Sequence, residues 1–170
     1  MNPRIRSERE LQAARMRGQI LPVVTTLAGS LAVLLPFIAE SPSLPPFGFM
    51  MLLSWRLLRP ELWPVWIGLP LGLFDDLVSG QPIGSAMMLW TLALLVLDLI
   101  DQRLVWRDYW QDWLMAAALI IAVLLGGLIT ANGAGGEGHV LLIVPQILVS
   151  ILIFPVVARV CALLDRWRLS

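Results

Sequence analysis

The chain alternates between six long apolar runs and short polar segments. The apolar runs predict helices over about 19–39, 44–58, 62–78, 85–97, 113–131 and 140–160. A helix rises about 1.5 Å per residue, so a run of about 20 residues covers roughly 30 Å, which is the thickness of a bilayer core. The pattern therefore predicts an all-α integral membrane protein with six transmembrane helices.

Composition supports a single membrane domain. The chain has 170 residues, of which 58% are hydrophobic, and its mean hydropathy is +0.81, a value that is rare in soluble domains. We predict a cytoplasmic basic N-terminal segment at 1–18, a six-helix transmembrane domain at 19–160 and a cytoplasmic basic tail at 161–170. Ser7 and Glu10 have the spacing of a capping box, which favours either a helix on the membrane surface or a charged leader that only sets topology.

The positive charges predict which side of the membrane each loop faces. All twelve basic residues are arginines, and they lie before the first run, between the second and third, between the fourth and fifth, and after the sixth. Basic residues in short loops stay in the cytoplasm. Both termini are therefore predicted to be cytoplasmic, with the turns at 40–43, 79–84 and 132–139 outside.

The tryptophans follow the same division. Seven of the eight lie near the predicted cytoplasmic helix ends, where indole rings favour the headgroup level, and only Trp90 falls inside a helix. The seven are Trp55, Trp63, Trp66, Trp106, Trp110, Trp113 and Trp167. Trp106, Trp110 and Trp113 are spaced i, i+4 and i+7, which predicts one helical stripe. That stripe either anchors the chain at the headgroups or contacts a partner helix.

A repeat of glycines and one aspartate at the end of the third predicted helix is the most specific motif. Gly68, Gly72, Asp76, Gly80 and Gly84 recur every four residues, which places them near one face while the helix lasts. Glycines on such a face let a neighbouring helix approach closely. Three interpretations of the aspartate stay open: it accepts hydrogen bonds from the following turn, it faces a partner protein, or it belongs to an ion path.

Residues that support catalysis or cofactor binding do not converge in the sequence. Adjacent Asp75 and Asp76 point about 100° apart on a helix, and no histidine or lysine accompanies them. The single cysteine, Cys161, and the single histidine, His139, form no metal-binding or redox motif. A net charge of zero provides no long-range attraction for nucleic acid. The sequence thus predicts no enzyme, no metal, no cofactor and no nucleic-acid partner.

The motif, the chain length and the six-helix layout together resemble the rod-shape-determining MreD family. Trp55 matches the aromatic position before the turn between helices 2 and 3, and Pro60 matches the proline in that turn. Asp76 corresponds to the family aspartate, whereas Asp75 looks like an addition in this chain. The charged, Trp-rich segment at 98–112 departs from the family pattern.

This resemblance implies a non-enzymatic membrane scaffold of the bacterial cell-wall elongation machinery, which builds peptidoglycan and maintains rod shape from the cytoplasmic (inner) membrane. The implied partners are the periplasmic scaffold MreC, the actin-like MreB, the glycosyltransferase RodA and a class B penicillin-binding transpeptidase. The resemblance also implies a fold similar to the substrate-binding subunits of energy-coupling-factor vitamin transporters.

That implied fold makes a substrate-binding transporter subunit the alternative function. Such a subunit needs a pocket with several convergent polar groups. The polar residues inside the predicted helices are Thr25, Thr26, Ser30, Ser54, Ser85, Thr91, Thr130, Gln146 and Ser150. Most of them can be satisfied within their own helix, so we predict membrane lipid but no small-molecule ligand as a partner. The two functions differ in whether these groups line one cavity near the outer face or are scattered.

Overall fold

The computed structural model describes residues 20–34, 44–103 and 108–169. Over these residues the protein is all-α, as the hydrophobic pattern predicts. The α-helices are α1 (Ile20–Leu31), α2 (Phe47–Leu58), α3 (Gly68–Ser79), α4 (Ser85–Asp101), α5 (Tyr109–Gly133) and α6 (Val140–Leu169). Short 3-10 helices cover Ala32–Leu34, Pro60–Leu62 and Val65–Ile67. The predicted N-terminal segment at 1–18 lies outside the described residues.

The third helix begins at Gly68 rather than at residue 62, so its predicted start is wrong. Trp63 has φ −113° and ψ 100°, and the following Pro64 has φ −65° and ψ 149°. A proline ring disfavours helical backbone in the residue before it, so the helix cannot run through this pair. The chain passes through two 3-10 turns instead and enters α3 after them.

The last three helices extend beyond their predicted bounds. α4 continues to Asp101, α5 begins at Tyr109, and α6 continues to Leu169, so the predicted tail at 161–170 is helical as far as residue 169. The sequence pattern ends these helices where charged residues begin. Several of those charged residues pair with charges elsewhere in the bundle, as described below.

Among the described residues, two helices, α5 and α6, are each long and apolar enough to cross a membrane. By contrast, α2 and α3 have 12 residues each. At about 1.5 Å per residue they are roughly 18 Å long, which is shorter than a bilayer core. The long apolar helices agree with a membrane protein, and the count of six spans stays a prediction.

Helix α2 lies at the centre of the bundle, where it packs against α4, α5 and α6. Its fully buried apolar side chains are Phe49, Met50, Leu52, Leu53 and Trp55. The ring of Phe49 lies 5.7 Å from that of Trp90 on α4, so the one tryptophan predicted inside a helix belongs to the core. Helix α3 packs mainly along α4.

The two ends of the bundle differ in chemistry. Ser79, Gln81 and Ala131 line one cavity, so the turn after α3 and the turn after α5 lie at the same end, here called the outer end. Arg56 and Arg59 form ion pairs at the opposite end, here called the inner end. The names follow the predicted topology.

Reporter fusions test that topology. Alkaline phosphatase fused after Ser170 is expected to be inactive, because the arginines hold the C-terminus in the cytoplasm, and the same enzyme inserted at 132–139 is expected to be active. A cytoplasmically fluorescent reporter at the same two sites provides the reciprocal control. An active C-terminal phosphatase fusion would contradict the even number of spans.

Candidate functional site

Asp76 caps the N-terminus of α4 from the neighbouring helix α3. Its Oδ2 accepts hydrogen bonds from Gly84 N at 2.8 Å and Met87 N at 3.3 Å. Its Oδ1 accepts from Ala86 N at 2.8 Å and from Ser85 Oγ at 2.9 Å. The side chain is 1% exposed. These are contacts of the kind that the first interpretation of the aspartate predicts.

The carboxylate completes the hydrogen bonding of this helix end. A helix leaves its first four N–H groups without intrahelical partners. Asp76 accepts three of the four, and the remaining one, Ser85 N, donates to Pro82 O at 3.0 Å. Gly84 occupies the position before the helix and has no side chain of its own to cap it. The negative charge also lies at the positive end of the α4 dipole, which stabilises it there.

Two glycines of the motif serve the turn between α3 and α4. Gly80 has φ 69° and Gly84 has φ 97°, a left-handed conformation that other residues adopt at a cost. The N–H of Gly80 also donates to Asp76 O at 3.2 Å, which ends α3. A Cβ at either glycine would meet no atom within 4 Å, so their role is conformational.

The other two glycines of the motif allow α3 and α4 to approach closely. A Cβ at Gly72 would lie 2.6 Å from Met87 N and Cα, and a Cβ at Gly68 would lie 2.8 Å from Thr91 N. Real Cβ atoms do not approach backbone so closely. The four-residue repeat therefore combines two functions, close packing in its first half and turn geometry in its second.

Asp75 points away from this network. Ser30 Oγ on α1 lies beside its carboxylate. A Cβ at Gly48 of α2 would collide with Ser30 Oγ and lie 3.2 Å from Asp75 Oδ1. Helices α1 and α2 are close here, since a Cβ at Gly29 of α1 would lie 3.0 Å from Gly48 N of α2. Adjacent carboxylates thus serve different contacts, Asp76 toward α4 and Asp75 toward α1 and α2.

Trp55 and Pro60 lie apart from the glycine and aspartate motif, toward the inner end. Trp55 is fully buried, and its Nε1 donates to Thr25 Oγ1 at 2.9 Å, which joins α2 to α1. Pro60 starts the 3-10 helix that follows α2, and the preceding Arg59 has non-helical backbone with φ −141° and ψ 84°. Both residues shape α2, and the structure does not bring them into one site with Asp76.

Ion pairs at the inner end form a second polar cluster that sequence analysis missed. Arg56, 3% exposed, lies 2.9 Å from Asp101 Oδ2 and 3.3 Å from Asp98 Oδ1. Arg59 donates twice to Asp165 Oδ2, at 2.9 and 3.1 Å. These pairs join α2 to α4 and to α6. These arginines and aspartates have opposite charges and lie at the same predicted membrane depth, and this is the signal in the sequence that could have predicted the pairs.

The predicted tryptophan belt divides into core and surface residues. Trp55 and Trp63 are buried in the protein, because the central helix and the turn after it direct these rings inward, and their depth at the headgroup level stays a prediction. Trp106 lies outside the described residues. Asp108 has extended backbone directly before α5, so within the described chain the predicted helical stripe consists of Trp110 and Trp113 alone.

A cavity of about 450 Å³ opens at the outer end among all six helices. Of the nine polar residues predicted inside helices, only Ser30 and Gln146 line it, where they are joined by Asp75, Ser79 and Gln81. Six others donate to a carbonyl of their own helix: Thr25, Thr26, Ser54, Thr91, Thr130 and Ser150. Most of the predicted polar groups are therefore scattered and internally satisfied.

Comparison with known proteins confirms the family resemblance. A family model described as rod shape-determining protein MreD matches residues 15–158 of the 170 residues. The match includes α1 to α5 and most of α6. No curated protein and no solved structure matches the chain, and the similarity to transporter subunits stays a prediction.

Proposed function

The chain belongs to the rod shape-determining protein MreD family, and from this premise we propose that it is a non-enzymatic scaffold of the cell-wall elongation machinery. The family consists of membrane proteins with a role in rod shape. We place this member in the cytoplasmic membrane as a multi-pass protein. There it links cytoplasmic, membrane and periplasmic components, with MreC, MreB, RodA and a class B transpeptidase as its partners.

The aromatic surface at the start of α5 is the observation that supports a scaffold best. Trp110 is 68% exposed, yet its ring contacts that of Trp113 edge to face with centroids 5.2 Å apart. Trp113 Nε1 in turn donates to Ile151 O of α6 at 3.4 Å. An aromatic side chain that such contacts already hold in place loses little conformational entropy when a partner packs on it. This favours a role for Trp110 in protein contacts.

Substituting Trp110 tests the scaffold proposal. Trp110→Ala is expected to reduce recovery of the partner proteins at least about tenfold in affinity purification from mild detergent, since central aromatic contacts commonly contribute about 2 kcal/mol or more. The membrane level of the chain should stay normal. Co-purifying proteins are identified and quantified by mass spectrometry.

Trp66→Ala is the matched control, because Trp66 is also an exposed tryptophan, 61% exposed, but lies outside α5. Equal partner recovery for wild type, Trp66→Ala and Trp110→Ala would contradict the contact surface. Loss of the Trp110→Ala chain itself from the membrane would instead identify a headgroup anchor. Failure of the wild type to retain any elongation protein would contradict the scaffold proposal as a whole.

The cavity at the outer end favours the transporter-subunit alternative. Such a function requires a transported ligand, and uptake then depends on the chain. Deletion of the chain followed by complementation with the wild-type chain distinguishes the two functions. If the chain is a scaffold, it restores rod shape. If it is a transporter subunit, it restores uptake of its substrate.

A further inference from the structure

The cavity at the outer end contains a carboxylate that the α3–α4 cap does not use. Asp75 lines the cavity beside Ser79, with Ser30 and Gln146 on other walls. Among the described residues that line it there is no arginine or histidine, and the chain contains no lysine. A carboxylate inside a membrane protein is costly unless a positive charge or a proton compensates it.

The remaining polar groups of the cavity offer both acceptors and donors, the donors being the Ser30 hydroxyl and the amide of Gln81, whose Oε1 accepts from Ser85 Oγ at 3.4 Å. Ser79 uses its hydroxyl proton for Asp75 O at 2.7 Å, and Gln146 uses Nε2 for Leu44 O at 2.6 Å. Ser79 Oγ and Gln146 Oε1 therefore remain as acceptors. Ser30 Oγ is buried beside the Asp75 carboxylate without a hydrogen bond of good geometry. An ammonium has three donors and can bond to the Asp75 carboxylate and to the two acceptors, Ser79 Oγ and Gln146 Oε1.

The walls of the cavity match an organic cation better than a metal ion. Phe47 is partly exposed and contributes aromatic surface, which attracts cations through the ring quadrupole, whereas Trp90 is 1% exposed. Leucine, valine and isoleucine side chains supply most of the rest. A volume of about 450 Å³ lies within the range of small-molecule sites, and the described residues contain no cluster of metal ligands.

We propose that this cavity binds the primary ammonium group of a small amphiphilic molecule, with Asp75 as its counter-ion. The ammonium lies among Asp75, Ser79 and Gln146, and the apolar part packs against the aromatic wall. This proposal differs from the sequence-based expectation of no small-molecule ligand, and it does not depend on the scaffold role.

Isothermal titration of the purified full chain in detergent tests the site with n-hexylammonium as the probe. Binding of the probe is expected, with n-hexanol, the neutral analogue, at least about tenfold weaker, because a charge-assisted contact is lost. Asp75→Asn should weaken hexylammonium binding by a similar factor. Asp108→Asn, an exposed aspartate at the start of α5, is the matched control and should bind like wild type.

A second variant tests the site without changing its charge. A Cβ at Gly127 meets only Gln81 Oε1, at 3.7 Å, and Gly127 lines the cavity. Gly127→Leu should therefore fold and block the probe by filling the space. Gly133→Leu, on the same helix with no atom near its Cβ, should leave binding unchanged.

The ammonium can come from a lipid headgroup or from a soluble amine. Nanodiscs of equal phosphatidylethanolamine and phosphatidylglycerol, analysed by native mass spectrometry, distinguish the two sources. Retention of the ethanolamine lipid by wild type and its loss in Asp75→Asn would identify the lipid; hexylammonium binding without such retention would identify a soluble amine. Binding of neither ligand, or equal binding by Asp75→Asn, would overturn the proposal.

Discussion

Replacing Asp76 with leucine is expected to remove most of the folded protein from the membrane. The carboxylate accepts three backbone N–H groups and one hydroxyl at the start of α4. A hydrogen bond to a charged group contributes about 1.5–3 kcal/mol, so loss of two already costs about 3 kcal/mol or more. Leucine also leaves the N–H groups of α4 without acceptors in a buried site. Membrane level and thermal unfolding of the tagged variant measure the effect.

Asp76→Asn is expected to be intermediate. The amide keeps one acceptor oxygen and can still accept some of these hydrogen bonds. Its NH₂ group, however, replaces the other carboxylate oxygen and lies against N–H donors, to which it cannot bond. Asp75→Asn is the matched control, since it changes the same group one residue earlier and leaves the α4 cap intact. Wild-type abundance of Asp76→Leu would contradict the cap. Normal abundance of Asp76→Asn with loss of rod shape would instead indicate a charge-dependent partner or ion site.

Gly72→Leu is expected to separate α3 from α4. Its Cβ would lie 2.6 Å from the backbone of Met87, and backbone cannot move aside as a flexible side chain can. Overpacking in a tight interface costs about 1–3 kcal/mol and sometimes more. Separation would also lengthen the hydrogen bonds from Asp76 to the start of α4, so both effects lower the unfolding temperature. Thermal unfolding in detergent is the measurement.

Gly133→Leu is the matched control for Gly72→Leu, because Gly133 is also helical and a Cβ there meets no atom within 4 Å. Its unfolding temperature should stay close to that of wild type. An unfolding temperature for Gly72→Leu equal to that of Gly133→Leu would show that α3 and α4 do not pack as closely as described.

Helix positions could be predicted well from hydrophobic runs, but helix ends could not. A run of apolar side chains identifies where a helix must exist, because backbone groups in an apolar environment need internal partners. The predicted helix ends are wrong where the first charged residue is taken as the end of the helix. Asp101 and Asp165 are helical and pair with Arg56 of α2 and with Arg59 directly after it, and a partner distant in sequence leaves no trace in local periodicity.

The candidate site shows the same division. Spacing and residue type left three interpretations of Asp76 open, and the backbone N–H groups that its carboxylate accepts in the structure are of the kind that the first of them predicts. The even four-residue repeat, however, concealed two different roles. Gly72 allows a close helix contact, and Gly80 provides a left-handed turn, although both are glycines of the same four-residue repeat.

By itself, the sequence determined the helical class and the family and predicted the side of each loop, since these depend on composition, charge and local spacing. Only the tertiary structure decided what Asp75 and Asp76 face. On one helix they are separated by about 100°. This angle gives them different contacts because α4 lies on one side of α3 and α1 and α2 lie on the other. Packing of helices remote in sequence directs one carboxylate into a cap and its neighbour into a cavity.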